Sequence, residues 1–150
     1  MDMNVKKVKL IDIADVKRAA NQIYKKDTIY IQVSAAKRSN LKMFYRLDKD
    51  AILESKYAVI VPRIEIDAEY LENILEICAA EWHHKYVGKS INIQMSAFNE
   101  FELEYHTDLE TQAYIKSMIQ GFDVAIQKEK RFIEEAKNYK RYLLNKMFPS

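Results

Sequence analysis

The chain has 150 residues, of which 49% are apolar and 31% charged, with two glycines and two prolines. That balance suits one ordinary domain, or a compact domain plus a long element, and excludes a disordered chain. A single cysteine, Cys78, excludes an intrachain disulfide, and the net charge of +2 hides a skew: residues 1–49 hold 12 Lys/Arg against 5 Asp/Glu, while the remainder holds 12 against 17.

Met1 to Lys9 is charged and lacks the apolar core of a secretory signal, and no run reaches the roughly 18 apolar residues of a membrane span. A soluble, cytoplasmic protein with no membrane partner is the expectation. Residues Val5 to Val16, VKKVKLIDIADV, carry apolar side chains at Val8, Leu10, Ile11, Ile13 and Val16. The pattern fits a strand entering a short helical turn, and periodicity does not settle which. Ile29, Ile31 and Val33 alternate with Tyr30 and Gln32, as in a half-buried strand. A polar basic segment follows, Ser34 to Asn40, holding Lys37, Arg38 and Ser39. Tyr57 to Val61 is a continuous apolar run, as expected of a buried strand, and Pro62 should end it because proline donates nothing to a ladder.

Asp67 stands where a helix N-cap would. After it, Tyr70, Leu71, Ile74, Leu75, Cys78 and Trp82 recur on one face, predicting an amphipathic helix from Asp67 to about His83. Glu69, Glu72, Glu76 and Glu81 are assigned to its opposite face. Two further strands are predicted, Ile91 to Met95 and Glu100 to Tyr105. In the second, Phe101, Leu103 and Tyr105 face in while Glu100, Glu102 and Glu104 face out.

Thr107 and Glu110 form a T-x-x-E capping box, and nothing breaks a helix from there to Met147. About 40 residues make a rod of ~60 Å at 1.5 Å per residue. One heptad row holds Ile115, Phe122, Ala136 and Leu143, and the next holds Met118, Ala125, Phe132 and Tyr139. Ile119, Ile126, Ile133 and Met147 widen the stripe; Glu129 interrupts it, and Gly121 costs about 1 kcal/mol of propensity. Such a rod outruns a globule of roughly 100 residues, with its radius of gyration of about 13 Å. The stripe is therefore expected to meet a second copy in a coiled coil, the alternative being a helix folded back over its own domain.

Chemical motifs are absent. Val87-Gly88-Lys89-Ser90 mimics the end of a phosphate-binding loop, but His83 stands where the first glycine belongs and a helix precedes it. Adjacent His83 and His84 diverge by about 100° on a helix, which does not make a metal site with one further histidine, His106. Cys78 on an apolar face reads as a small core residue. No catalytic residue, cofactor or metal is expected, and the chain is not read as an enzyme.

Several segments in order are similar to specificity (S) subunits of Type I restriction-modification systems. VKLIDIADVKRA resembles the start of a target recognition domain. KYAVIVPRIEIDAEYLENIL, Lys56 to Leu75, resembles the family's strand and its I-D-x-x-Y-L helix. VGKSINIQMSAFNEFEL, Val87 to Leu103, resembles a glycine turn leading to the last strands. HTDLETQAYIKSMIQGFDVAI resembles the P-L-x-E-Q run that opens the conserved helix, and YKRYLLNKMF resembles the K-K-x-L-L-x-K-M-F tail. Two departures stand out. The globular part, about 105 residues, is shorter than the family's recognition domain, mainly between Arg18 and Tyr57, and the prolines before the long helix are replaced by Glu104 to His106.

The resemblance implies a non-catalytic DNA-reading or scaffold protein. The expected fold is α+β: a small mixed or antiparallel sheet with a packed helix, residues 1–106, then a coiled-coil-forming helix, residues 107–150. The expected partners are duplex DNA, methyltransferase (M) subunits and a second copy of the chain. Lys37, Arg38 and Lys42 are the first candidates for phosphate contacts, followed by Lys25, Lys26, Lys85 and Lys89. Ser39, Asn40 and Asn92 are candidates for base edges. Ile115, Met118, Ile119, Phe122, Ile126, Phe132, Ile133, Tyr139 and Leu143 are the expected dimer interface. A partner-binding scaffold that does not read DNA is the alternative.

Overall fold

The structure, a computed structural model, describes residues 4–36 and 42–147. It divides into two compact units, residues 1–113 and 114–150. The first opens with β1 (Val5–Lys9), the single turn α1 (Leu10–Ile13) and β2 (Ala14–Arg18). Strand and helical turn therefore both occur in the ambiguous opening segment. Leu10 and Ile13 are buried while Ile11 between them is exposed, the three-residue spacing of one helical turn.

Five short strands follow in part: β3 (Gln22–Tyr24), β4 (Ile29–Gln32), β5 (Phe44–Arg46), β6 (Ala51–Leu53) and β7 (Tyr57–Pro62); β8 (Glu102–His106) comes later. All pairings among the described residues are antiparallel: a sheet in the order β2-β7-β4-β5 and two ribbons, β1-β8 and β3-β6. The sheet is covered on both sides, which is why Ala58, Val59 and Ile60 of β7 are all buried. On one side Ala19, Leu47, Leu53 and Val59 form a small apolar cluster under the β3-β6 ribbon. Pro62 occupies the last rung of β7, opposite Ala14.

The other side meets α2 (Ala68–Tyr86), capped by Asp67, whose carboxylate accepts the Tyr70 N–H at 2.9 Å. Trp82 stacks on Phe98 at 5.1 Å and meets Phe101 at 5.0 Å, and Phe101 meets Phe44 of β5 at 5.7 Å. Such aromatic pairs contribute about 0.5–1.5 kcal/mol each beyond the area they bury, so this chain of rings fixes helix to sheet. In β8, Leu103 and Tyr105 are buried while Glu102 and Glu104 are exposed, as the alternation predicts.

Two expectations fail. Ile91 to Met95 is not a strand: the Ile91 carbonyl accepts the Ala36 N–H at 2.9 Å and Ile93 donates to the Val33 carbonyl at 2.8 Å, and the chain then turns into a 3-10 helix, Met95–Glu100. Its buried anchors, Ile93 and Phe98, follow neither the strand period nor the helix period. Nor is Thr107 the helix cap. The helix α3 (Leu109–Met147) starts after Asp108, whose carboxylate accepts the Thr111 N–H at 3.1 Å and its hydroxyl at 2.8 Å. Thr107 instead donates its N–H to the Asn4 carbonyl at 2.9 Å, one step beyond the β1-β8 ladder.

Candidate nucleic-acid interface and helix surface

Two of the four glutamates assigned to the outer face of α2, Glu72 and Glu76, have inward work, whereas Glu81 is exposed as expected. Glu69, Glu72 and Glu76 share one face by their i, i+3, i+7 spacing. The Glu72 side chain is only 8% exposed and is bound by the Lys42 amine and by Arg46 Nε at 3.2 Å. Arg46 also reaches Asp27 at 2.6 Å. Glu76 accepts the backbone N–H groups of Met43 at 3.0 Å and Phe44 at 2.9 Å. These carboxylates therefore fix the segment that runs into β5, and they satisfy donors on the free edge of that strand.

The charge skew of the sequence is partly consumed by folding. Lys7 lies opposite Glu104 and Lys9 opposite Glu102 in the β1-β8 ladder, and Lys9 is 3.8 Å from Glu100. Lys42, a phosphate candidate, is held at Glu72 together with Arg46. Lys25 and Lys26 are exposed in the turn after β3, where the Lys26 N–H donates to Asp50 at 2.8 Å. Lys85 and Lys89 are exposed at and beyond the end of α2. Asn92 is exposed, but its side-chain oxygen accepts the Ala35 N–H at 2.9 Å and braces the loop after β4. Lys37, Arg38, Ser39 and Asn40 lie outside the described residues.

A shallow groove of about 500 Å³ lies between α2 and the β1-β8 ribbon, lined by Ile74, Cys78, Leu103, Glu81, Glu102 and Glu104. Burial pushes the Cys78 thiol above its ordinary range, the opposite of what a nucleophile needs. Among the described residues no group of three or more His, Cys, Asp or Glu side chains is placed to hold a metal. No helix among them is long and apolar enough to cross a membrane.

The start of α3 is built differently. Gln112 is fully buried: its carbonyl accepts the Asp67 N–H at 2.9 Å and its amide donates to the His106 carbonyl at 2.7 Å. Sequence reasoning passed over this residue, whose one signal was its place in the P-L-x-E-Q-like run. Tyr70 completes the junction, accepting the His106 N–H at 2.8 Å with its hydroxyl 2.7 Å from His106 Nδ1. Burial raises the Tyr70 pKa, so the hydroxyl stays protonated.

From Tyr114 onward α3 has no buried residue among those described. Met118 is 44% exposed, Phe122 64%, Ile126 48%, Phe132 72%, Ile133 46%, Tyr139 64% and Leu143 39%; Ile115 and Ile119 are partly covered. Within its own unit the helix thus leaves most of the apolar stripe exposed. Tyr139 and Tyr142 stack on each other at 6.4 Å.

Comparison with known proteins places the fold. No protein-family profile and no curated protein matches the chain. Solved structures do. The Type-I restriction-modification system S subunit from M. genitalium is 14% identical, with a TM-score of 0.60 over 98% of this chain and 46% of that one. The HsdS subunit from Thermoanaerobacter tengcongensis is 14% identical, with a TM-score of 0.65 over 99% of this chain and 46% of that one. A chain from a study of complex assembly and conformational transition of the type I R-M system is 14% identical, with a TM-score of 0.66 over 93% and 43%. The chain therefore has the α+β fold of these subunits, small antiparallel sheets followed by a long helix, and spans less than half the length of each.

Proposed function

We propose that this chain is a specificity-subunit-like protein of a Type I restriction-modification system. Its globular region binds duplex DNA, and α3 pairs with a second copy and docks methyltransferase subunits. The observation that carries the reading is the near-complete superposition of this chain on under half of each S subunit. Two copies joined through α3 supply two such regions, one for each half of a divided site. The apolar stripe, mostly exposed within its own unit, supports helix pairing. Lys25, Lys26, Lys37 and Arg38 are the proposed phosphate contacts. No chemistry on DNA is assigned to the chain alone.

Folding favours a second reading at one point. Lys7, Lys9, Lys42 and Arg46 face acidic partners, which leaves fewer cations for phosphate than the sequence count implies. In that reading the chain is a scaffold that pairs with subunits without reading DNA. Titration of a labelled duplex at low and moderate salt separates the two. A reader loses affinity by about 0.9 log unit per neutralised phosphate per log unit of salt, and Lys37→Ala with Arg38→Ala flattens the slope by about 2. A scaffold shows no salt-dependent binding at low ionic strength.

A further inference from the structure

On the face of the four-stranded sheet turned away from α2, Tyr45 of β5 is the direct cross-strand partner of Tyr30 of β4, and Tyr57 of β7 sits one step along, opposite Gln32. Residues 30 and 32 share a face by the period of a strand, so the three tyrosines form one row. Tyr45 stacks on Tyr30 with centroids 5.9 Å apart and planes at 28°, and Tyr57 meets Tyr30 edge-on at 5.3 Å and 83°. Tyr30 and Tyr57 back onto the small cluster under the β3-β6 ribbon. Tyr45, on the sheet edge, is 41% exposed.

Each end of the row carries an amine. Lys42 Nζ lies 5.6 Å from the Tyr45 ring centre and Lys56 Nζ 5.2 Å from that of Tyr57. Lys56 has no ion-pair partner among the described residues. Lys42 shares Glu72 with Arg46, so its departure leaves the buried carboxylate still paired to Arg46 Nε at 3.2 Å. The arrangement is therefore a half-exposed ring with one amine that has no ion pair and one, over the ring itself, that leaves Glu72 to Arg46 when it moves to a phosphate. Stacking of an unpaired base on such a ring, with amines on the backbone, is the general chemistry of single-strand binding.

We propose that Tyr45 stacks an unpaired nucleobase of single-stranded or locally opened DNA, with Lys42 and Lys56 contacting the flanking phosphates. The inference rests on the DNA-binding reading and names a second strand state for it. The test is fluorescence anisotropy on the full chain with a labelled oligothymidine 12-mer and, separately, a duplex of the same length.

The unmodified chain should bind the single strand. Tyr45→Ala should weaken that binding roughly tenfold or more, Tyr45→Phe should keep it, and Lys42→Ala should lower the salt slope by about 0.7. Circular dichroism of each variant controls for folding. Equal single-strand affinity for Tyr45→Ala and the unmodified chain, or no single-strand binding at all, overturns the proposal. Duplex binding untouched in either of those cases leaves the duplex reading standing, whereas single-strand binding without duplex binding supports the tyrosine site and removes the duplex reading.

Discussion

Gln112, on the first turn of α3, holds the backbone of Asp67, the residue that caps α2, through a 2.9 Å hydrogen bond from the Asp67 N–H to the Gln112 side-chain carbonyl. The same side chain donates to the His106 carbonyl at the end of β8. One buried amide thus joins the beginnings of two helices to the last strand. Gln112→Leu keeps the volume and leaves two part-buried backbone groups without their partner, each at a cost toward the low end of about 1–3 kcal/mol. The expected loss is of that order, read as a lower urea midpoint; an unchanged midpoint removes Gln112 from this role.

Glu72 offers a second stability test. Glu72→Ala leaves Lys42 and Arg46 without their shared anion and removes one of the two carboxylates that hold the segment entering β5, Glu76 keeping its backbone N–H groups. Both cations are partly exposed, at 45% and 26% of their side chains, so water offsets part of the loss. A destabilisation of about 1–3 kcal/mol is expected, below the range for a fully buried pair. Urea unfolding of the single variant checks it, and a double variant with Arg46→Ala should lose less than the sum of the two singles.

These two residues also show what the sequence makes legible. The strands β4, β7 and β8, the Asp67 cap and α2 all follow from period and capping chemistry in one continuous segment each. The roles of Glu72 and Glu76 do not, because their partners are a distant arginine and lysine and two backbone N–H groups, which leave no pattern in sequence. A helix carrying glutamates opposite an apolar stripe looks solvated until β5 is laid against it. The same holds for β3, β5 and β6, three-residue strands too short to establish an alternation. The long helix was plain from its unbroken stripe, yet its cap fell one residue later than expected, since Thr107 is taken by the ladder to Asn4. Of the DNA-contact candidates, the fold brings Lys42 to Glu72 and sets Asn92 to bracing a loop.

The cap of α3 predicts a pH effect. Hydrogen bonds from the Thr111 hydroxyl and then its backbone N–H hold the Asp108 carboxyl below its ordinary value. A lowered folded-state pKa means that the stabilisation is complete above the unfolded value, about 3.9, and is lost as pH falls through the lower folded one. Asp108→Asn should keep the cap and remove this part of the acid dependence, whereas Asp108→Ala should lose helix stability at neutral pH as well. Circular dichroism at 222 nm across an acid titration separates the three proteins (a wavelength on the order of 220 nm reports helix).

Helix pairing has its own test. The exposed Phe122, Ile126 and Phe132 should be covered in a dimer, so replacing all three with glutamate should give a monomer whose globular region is still folded. Sedimentation equilibrium at tens of micromolar, an order-of-magnitude choice for a domain-scale interface, compares it with the unmodified chain. A monomeric unmodified chain removes the pairing.

The most direct test of the whole reading is sedimentation velocity of the chain mixed with a fluorescently labelled duplex, followed at the label's wavelength at low and moderate salt. Two chains should travel with each duplex at low salt, and the complex should dissociate as salt rises with the slope set by the phosphates engaged. A duplex that sediments unchanged at low ionic strength, beside a chain that is folded and dimeric, contradicts DNA reading and leaves a scaffold that acts through α3.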